Sequence, residues 1–124
     1  MRHFPRTPYY ILDGRIPVPC DDAIAYAEWQ STHDMTVAET QIGETRVSTV
    51  FLGICGYVPP ELFETLCRGG PFDGFEKRYF TWEEAEQGHQ DMVAMVTLWR
   101  LVTFRRGFRK MVRRLFRVPF VLTR

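Results

Sequence analysis

The chain has 124 residues, which is enough for one domain but not for two. Hydrophobic residues make up 45% and aromatic residues 15%, so the chain can bury enough apolar surface to exclude wholesale disorder. Its three cysteines are too few and too scattered for a disulfide framework.

The net charge of +1 is the sum of two opposite parts. Residues 1–99 contain 7 Lys or Arg and 15 Asp or Glu, whereas residues 100–124 contain 9 Lys or Arg and no acid. We therefore divide the chain into an acidic α+β domain, 1–99, and a basic amphipathic helical extension, 100–124. This asymmetry predicts that the extension contacts a negatively charged partner. The alternative is that it lies on its own acidic body.

The first strand is predicted in the aromatic and β-branched run of residues 9–12, which leads into the turn at Asp13-Gly14. Pro17 and Pro19 follow, and a proline has no backbone N–H to donate to a sheet. We therefore expect irregular structure from this turn to Cys20.

A first helix is predicted from Asp22 to Ser31, with Asp21 or Asp22 as its N-cap. The helical spacing makes Ala25 and Trp29 the expected buried stripe, with Tyr26 at its edge.

Four strands in sequence predict an antiparallel meander. The runs 36–42 and 45–52 flank Gly43-Glu44, a pair typical of a two-residue hairpin turn. The runs 61–67 and 75–80 continue the alternation of apolar and polar residues. Alternation indicates a sheet with one packed and one wet face, and helices must cover the packed face.

The second helix begins with a capping box, Thr81 to Glu84, in which each side chain is expected to bond the other residue's backbone N–H. Apolar residues then recur at spacings of three and four, which predicts a core stripe. This stripe comprises Trp82, Ala85, His89, Met92, Val93 and Val96. Gly107 alone need not end this helix.

The end of the chain predicts a cationic amphipathic helix, bounded by Pro119. Its apolar face comprises Leu101, Phe104, Phe108, Met111, Val112, Leu115 and Phe116. Its basic face comprises Arg105, Arg106, Arg109, Lys110, Arg113, Arg114 and Arg117.

Three partners fit such a helix. Nucleic acid is favoured, because residues 100–124 contain eight Arg to one Lys and guanidinium groups bind phosphate in a bidentate way. A protein partner or a second copy would instead bury Phe104, Phe108, Met111 and Leu115. An anionic membrane surface is a less favoured third partner. Since nucleic acid would not cover the apolar face, we expect this face to pack on the body or on a neighbour.

Candidate chemistry elsewhere has simpler explanations. Glu86 and His89 have the spacing of carboxylate-bridged metal helices, but such sites need a second motif that the sequence lacks, so His89 is expected at the core edge or on the surface. His33 is expected to cap the first helix at the negative end of its dipole. Cys55 could pair with a histidine as a nucleophile, but no signature surrounds it. The sequence therefore predicts no catalytic residue, metal ligand or cofactor, and a protein that is not an enzyme.

The compartment expected from the sequence is the cytoplasm. Residues 1–10 contain no apolar region typical of a secretory signal. The longest apolar run, residues 92–104, contains Arg100 and is too short to span a membrane. Since the cysteines predict no disulfide framework, a reducing compartment is the default.

Several runs together carry a resemblance over residues 8–96. They are Tyr10-Ile-Leu-Asp-Gly14, Pro17-Val-Pro-Cys20, Arg46-Val-Ser-Thr-Val-Phe-Leu-Gly53, Leu62-Phe-Glu-Thr-Leu66 with Gly69-Gly70, and Arg78-Tyr-Phe-Thr-Trp-Glu-Glu-Ala-Glu-Gln-Gly-His89. This pattern resembles an uncharacterised family of small proteins of tailed phages and bacterial prophages. The resemblance implies a phage or prophage origin and a role inside a bacterial host cell, and it brings no established activity. The extension departs from the family pattern.

The sequence thus predicts one α+β domain, an antiparallel β-meander packed by two helices, with a long basic C-terminal helix. Its favoured function is a non-enzymatic phage-type binding module that contacts nucleic acid or a nucleoprotein complex through the basic face. The alternative is an interaction or assembly protein, such as an inhibitor of a host complex, that uses the apolar face.

Overall fold

A computed structural model describes residues 7–116, in which two antiparallel sheets pack against a short and a long helix. The elements in chain order are β1 (Tyr10–Asp13), β2 (Ile16–Pro19), α1 (Ala23–Thr32), β3 (Thr36–Ile42), β4 (Thr45–Phe51), β5 (Phe63–Arg68), a 3₁₀ turn (Gly70–Phe72), β6 (Glu76–Tyr79) and α2 (Trp82–Phe116). The predicted α+β class is confirmed.

The main sheet is the predicted antiparallel meander, with the strand order β3-β4-β5-β6. Its alternation places Val47, Thr49 and Phe51 of β4 in the core, with β5 residues Phe63 and Cys67 beside them. Helix α2 lies across this face and contacts all four strands. The sheet therefore has one packed face, as alternation requires.

Prolines 17 and 19 do not prevent regular structure, so that prediction was wrong. They belong to β2, which pairs with β1 through Ile11 opposite Val18 and Leu12 opposite Pro17. The Cys20 N–H donates to the Tyr9 carbonyl at 2.8 Å. Backbone N–H groups point to alternate edges of a strand, so the backbone nitrogens of Pro17 and Pro19 point away from β1. A proline at an unpaired strand edge costs no ladder hydrogen bond.

Helix α1 begins where predicted, but it buries a different residue. The Asp22 carboxylate caps it by accepting from the Ala25 N–H at 2.6 Å. Ala25 is exposed and Tyr26 is buried, which corrects the expected stripe. The Tyr26 hydroxyl donates to the Leu52 carbonyl at 2.9 Å and lies against Gly53. This hydrogen bond at the end of β4 fixes which side of α1 meets the sheet.

Helix α2 has the predicted start and core stripe. Its Glu84 N–H donates to the Thr81 hydroxyl at 3.1 Å. The Glu84 carboxylate accepts from the Phe80 N–H at 3.3 Å, one residue before the predicted Thr81 N–H. Buried residues at spacings of three and four then face the sheet, namely Ala85, His89, Met92 and Val96.

The same helix continues without a break to Phe116, through Gly107. Its 35 residues make it about 52 Å long at 1.5 Å per residue. The buried stripe ends at Val96, and residues 97–111 are all exposed. The predicted domain boundary at residue 99 therefore falls inside one continuous helix, close to where the sheet ceases to support it.

Candidate functional site

The candidate site is the C-terminal part of α2, residues 101–116, which we call the extension helix. It leaves the body beside the β3–β4 hairpin, where the Arg100 side chain lies against Gly43. A groove of about 260 Å³ opens at this point between Ile42 of β3 and the Leu101 and Phe104 side chains. Beyond the groove, the extension helix projects past the sheet.

The predicted basic residues lie along this projecting helix. Those that the structure describes are all exposed, namely Arg105, Arg106, Arg109, Lys110, Arg113 and Arg114. Arg117 lies outside the described residues. Within residues 7–116, the ion pairs join Arg15 to Glu86, Arg46 to Glu39, and Arg78 to Glu64 and Glu76. The carboxylates that form these pairs are thus occupied by cations of the body.

The cations do not all point in one direction. Residues three or four apart share a face of a helix, so the core stripe that ends at Val96 continues through Thr103, Gly107, Lys110 and Arg114. Arg106, Lys110 and Arg114 form one row at intervals of four residues, which we call the basic row. The helical spacing of these three residues from Val96 indicates that they lie on the side of the core stripe. The prediction of a single basic face did not use this spacing.

The predicted partner-binding residues are brought together as an apolar stripe. Phe104 is 71% exposed, Phe108 53%, Met111 50% and Leu115 67%, so at least half of each residue is uncovered. We expected this face to pack on the body or on a neighbour, and within this chain the body leaves most of it open. The physical reason is rotation, because Phe104 and Phe108 are out of phase with the core stripe that faces the sheet.

A buried polar network joins α2 to the sheet through His89. Its Nδ1 lies 2.8 Å from the Thr49 hydroxyl and its Nε2 lies 2.9 Å from the Thr40 hydroxyl. Thr49 in turn contacts the Thr65 hydroxyl at 2.6 Å. Burial lowers the pKa of His89, because a charged imidazole would lose its hydration. Both ring nitrogens are thus engaged in the core rather than directed at a substrate.

The other chemical candidates are dispersed. Glu86 pairs with Arg15 and accepts from the Trp82 indole, so it does not join His89. The Cys55 thiol is buried and lies 3.7 Å from the Tyr57 carbonyl oxygen. His33 stacks on Trp29 and places Nδ1 2.7 Å from its carbonyl oxygen, at the end of α1. No group of three potential metal ligands converges among residues 7–116.

Comparison with known proteins finds no relative: no family model, curated protein or solved structure matches the chain. The resemblance to phage and prophage proteins therefore stays a prediction. In the part of the chain that the structure describes, no helix has the length and apolar content needed to cross a membrane.

Proposed function

We propose that the protein is a nucleic-acid-binding module whose extension helix contacts the phosphate backbone. The observation that carries this proposal is the exposed basic row on a helix that projects beyond the acidic body. Three cations at intervals of four residues recur about every 6 Å along the helix axis. Exposed Arg and Lys side chains bind phosphate and release counterions, which supplies most sequence-independent affinity.

The projection of the helix separates its cations from the acidic body. Residues 1–99 carry a net charge of −8, which repels nucleic acid. Lys110 and Arg114 lie about 15 and 21 Å along the helix axis from Arg100. These distances exceed the Debye length of about 8 Å at physiological ionic strength. The helix therefore carries the cations out of the screened field of the body.

The test is the affinity for short labelled DNA duplexes and RNA strands of arbitrary sequence, measured by fluorescence anisotropy. The variant replaces the basic row, Arg106→Gln, Lys110→Gln and Arg114→Gln. We expect it to bind at least about tenfold more weakly than the original chain at low salt, because phosphate contacts are lost whatever the base sequence.

A matched control removes three cations from the body, through Arg15→Gln, Arg68→Gln and Lys77→Gln. It has the same net charge as the row variant, and we expect it to bind nearly as well as the original chain. Equal losses in the two variants would show an effect of net charge alone. That result, or no binding by the original chain, would contradict the proposal.

A second candidate function, contact with a protein partner, is favoured by the exposure of the apolar stripe. Large exposed apolar patches are typical of interaction sites. The variant Phe104→Gln with Met111→Gln should lose a protein that the original chain captures from nuclease-treated bacterial lysate. The row variant should still capture it. Capture that depends on the row, or that nuclease abolishes, would count against this candidate.

A further inference from the structure

The outward face of α2, opposite the core stripe, has an ordered sequence of charges. Residues on this face recur at spacings of three and four and are exposed along the whole length. They are Glu84, Gln87, Asp91, Ala94, Leu98, Leu101, Arg105 and Arg109. The face is thus acidic near its start, apolar in the middle and basic near its end.

The apolar middle is wide as well as exposed. Leu98 is 63% exposed and Met95 54%, and Leu101 and Val102 flank them on the following turn. All four side chains are exposed, although Leu101 also borders the groove beside Ile42. A lone surface leucine needs no explanation, but a contiguous apolar patch between two charged ends is typical of an interface.

Opposite charges lie at equal distances on the two sides of Leu98. Asp91 lies seven residues before it and Arg105 seven residues after it, each about 10.5 Å along the helix axis. A two-fold axis through Leu98 would bring a second α2 antiparallel to the first. Asp91 of each copy would then face Arg105 of the other, and Met95 would face Leu101. The same axis would place Gln87 opposite Arg109.

We propose that this face binds a second copy of the same chain, in an antiparallel dimer centred on Leu98. The pattern is self-complementary under a two-fold axis, which is what an isologous interface requires. A parallel pair would instead place Arg105 beside its own equivalent. Like charges in contact are costly across an interface, so the antiparallel arrangement is the one that the charges select.

The dimer also gives the extension helix a surface on which to pack. In proteins most of the stability of a helix comes from packing of its amphipathic face, and residues 97–111 are all exposed. In the antiparallel pair, residues 101–112 of one copy lie along residues 84–95 of the other. With the axis at Leu98, residues 82–114 of α2 overlap in the two copies, a contact of about 50 by 10 Å, which amounts to roughly 1,000 Å² over both copies. That area reaches the lower limit for a specific interface.

This proposal does not rest on nucleic-acid binding. It uses Asp91, Leu98 and Arg105, whereas the basic row projects to a different side of the helix. Arg105 and Arg109 would contact the second copy instead of phosphate. Dimerisation is measured without nucleic acid, so the two proposals can fail separately.

The test is a charge exchange followed by sedimentation equilibrium of the nuclease-treated full chain at several protein concentrations. Asp91→Arg and Arg105→Asp should each weaken dimerisation at least about tenfold, because each creates two like-charge contacts by symmetry. The double variant exchanges both charges and restores the pairing. We expect its dimerisation constant to return to within about threefold of the original value. Leu98→Asp should leave the chain monomeric.

Matched controls make the same charge changes away from this face. Asp21→Arg copies the charge change of Asp91→Arg on an exposed residue before α1, and Lys110→Asp copies that of Arg105→Asp within the basic row. Both controls should dimerise like the original chain, and circular dichroism checks that every variant is folded. A chain that is monomeric at all concentrations would overturn the proposal. So would a dimer that is indifferent to Leu98→Asp, or a double variant that stays as weak as the single ones.

Discussion

At the level of single residues, His89 helps to position α2 on the sheet. The imidazole is 5% exposed and bonded on both ring nitrogens to threonine hydroxyls of β3 and β4. A buried polar group without a partner costs about 1–3 kcal/mol, so this network favours one register of the helix against the strands. Sequence spacing placed His89 in the core stripe, but the threonine partners come from strands 40 and 49 residues away.

The lowered pKa of His89 predicts a loss of stability in mild acid. In the unfolded chain the imidazole titrates near its ordinary pKa of 6.5, whereas the folded protein resists protonation until a lower pH. The unfolded state therefore binds more protons below about pH 6.5, and the free energy of unfolding falls as the pH falls. Above pH 7 this contribution is constant.

Urea denaturation at pH 7.5 and 5.5 measures the effect. The original chain should lose stability between these values, and His89→Gln should lose clearly less, although it starts from a lower stability. His33→Gln removes an exposed imidazole at the end of α1 and should keep the full loss. An equal loss in His89→Gln and the original chain would refute the assignment to this histidine.

At the level of elements, α2 combines a packed half and a projecting half, and two of its glycines mark the difference. Gly88 is buried, and a Cβ at this position would overlap the Tyr79 ring. Gly107 is exposed, and a Cβ there would meet nothing within 4 Å. The same substitution should therefore have opposite effects at the two positions.

Gly88→Ala should lower the free energy of unfolding by about 1–3 kcal/mol, because the buried Tyr79 must move. Gly107→Ala should raise the helical signal in circular dichroism, since alanine favours a helix by about 1 kcal/mol over glycine. It should hardly shift the main thermal transition, because the extension helix does not pack on the sheet. At protein concentrations at which the chain is monomeric, a large shift of that transition by Gly107→Ala would show that the extension helix packs on the body.

The elements that local patterns specify were predictable, and those set by tertiary contacts were not. The alternation in β4 and the cap at Thr81 are local, and both appear in the structure, although the Glu84 carboxylate accepts from the Phe80 N–H instead of the Thr81 N–H. The pairing of β2 depends on which edge its prolines face, which no short pattern encodes. The burial of Tyr26 depends on a carbonyl at the end of β4. A ten-residue helix with apolar residues on several sides does not reveal which side meets the sheet.

At the level of the whole molecule, the acidic and basic parts of the chain are separated in space, because the basic part lies on a helix that projects from the acidic body. The division into a −8 part and a +9 part was evident from the sequence. The sequence did not show that the sheet ends near Val96 while the helix continues, because the width of a sheet relative to a crossing helix is a tertiary property. That mismatch exposes the basic row and the apolar stripe together.

The salt dependence of DNA binding by the original chain tests the central claim most directly. If the three cations of the basic row each contact a phosphate, a plot of log K against log salt concentration should have a slope of about −2.7 or steeper. The row variant, which has lost these three cations, should show a slope shallower by about 2.7, with the body control unchanged. A flat plot for the original chain, or an equally steep one for the row variant, would contradict the account.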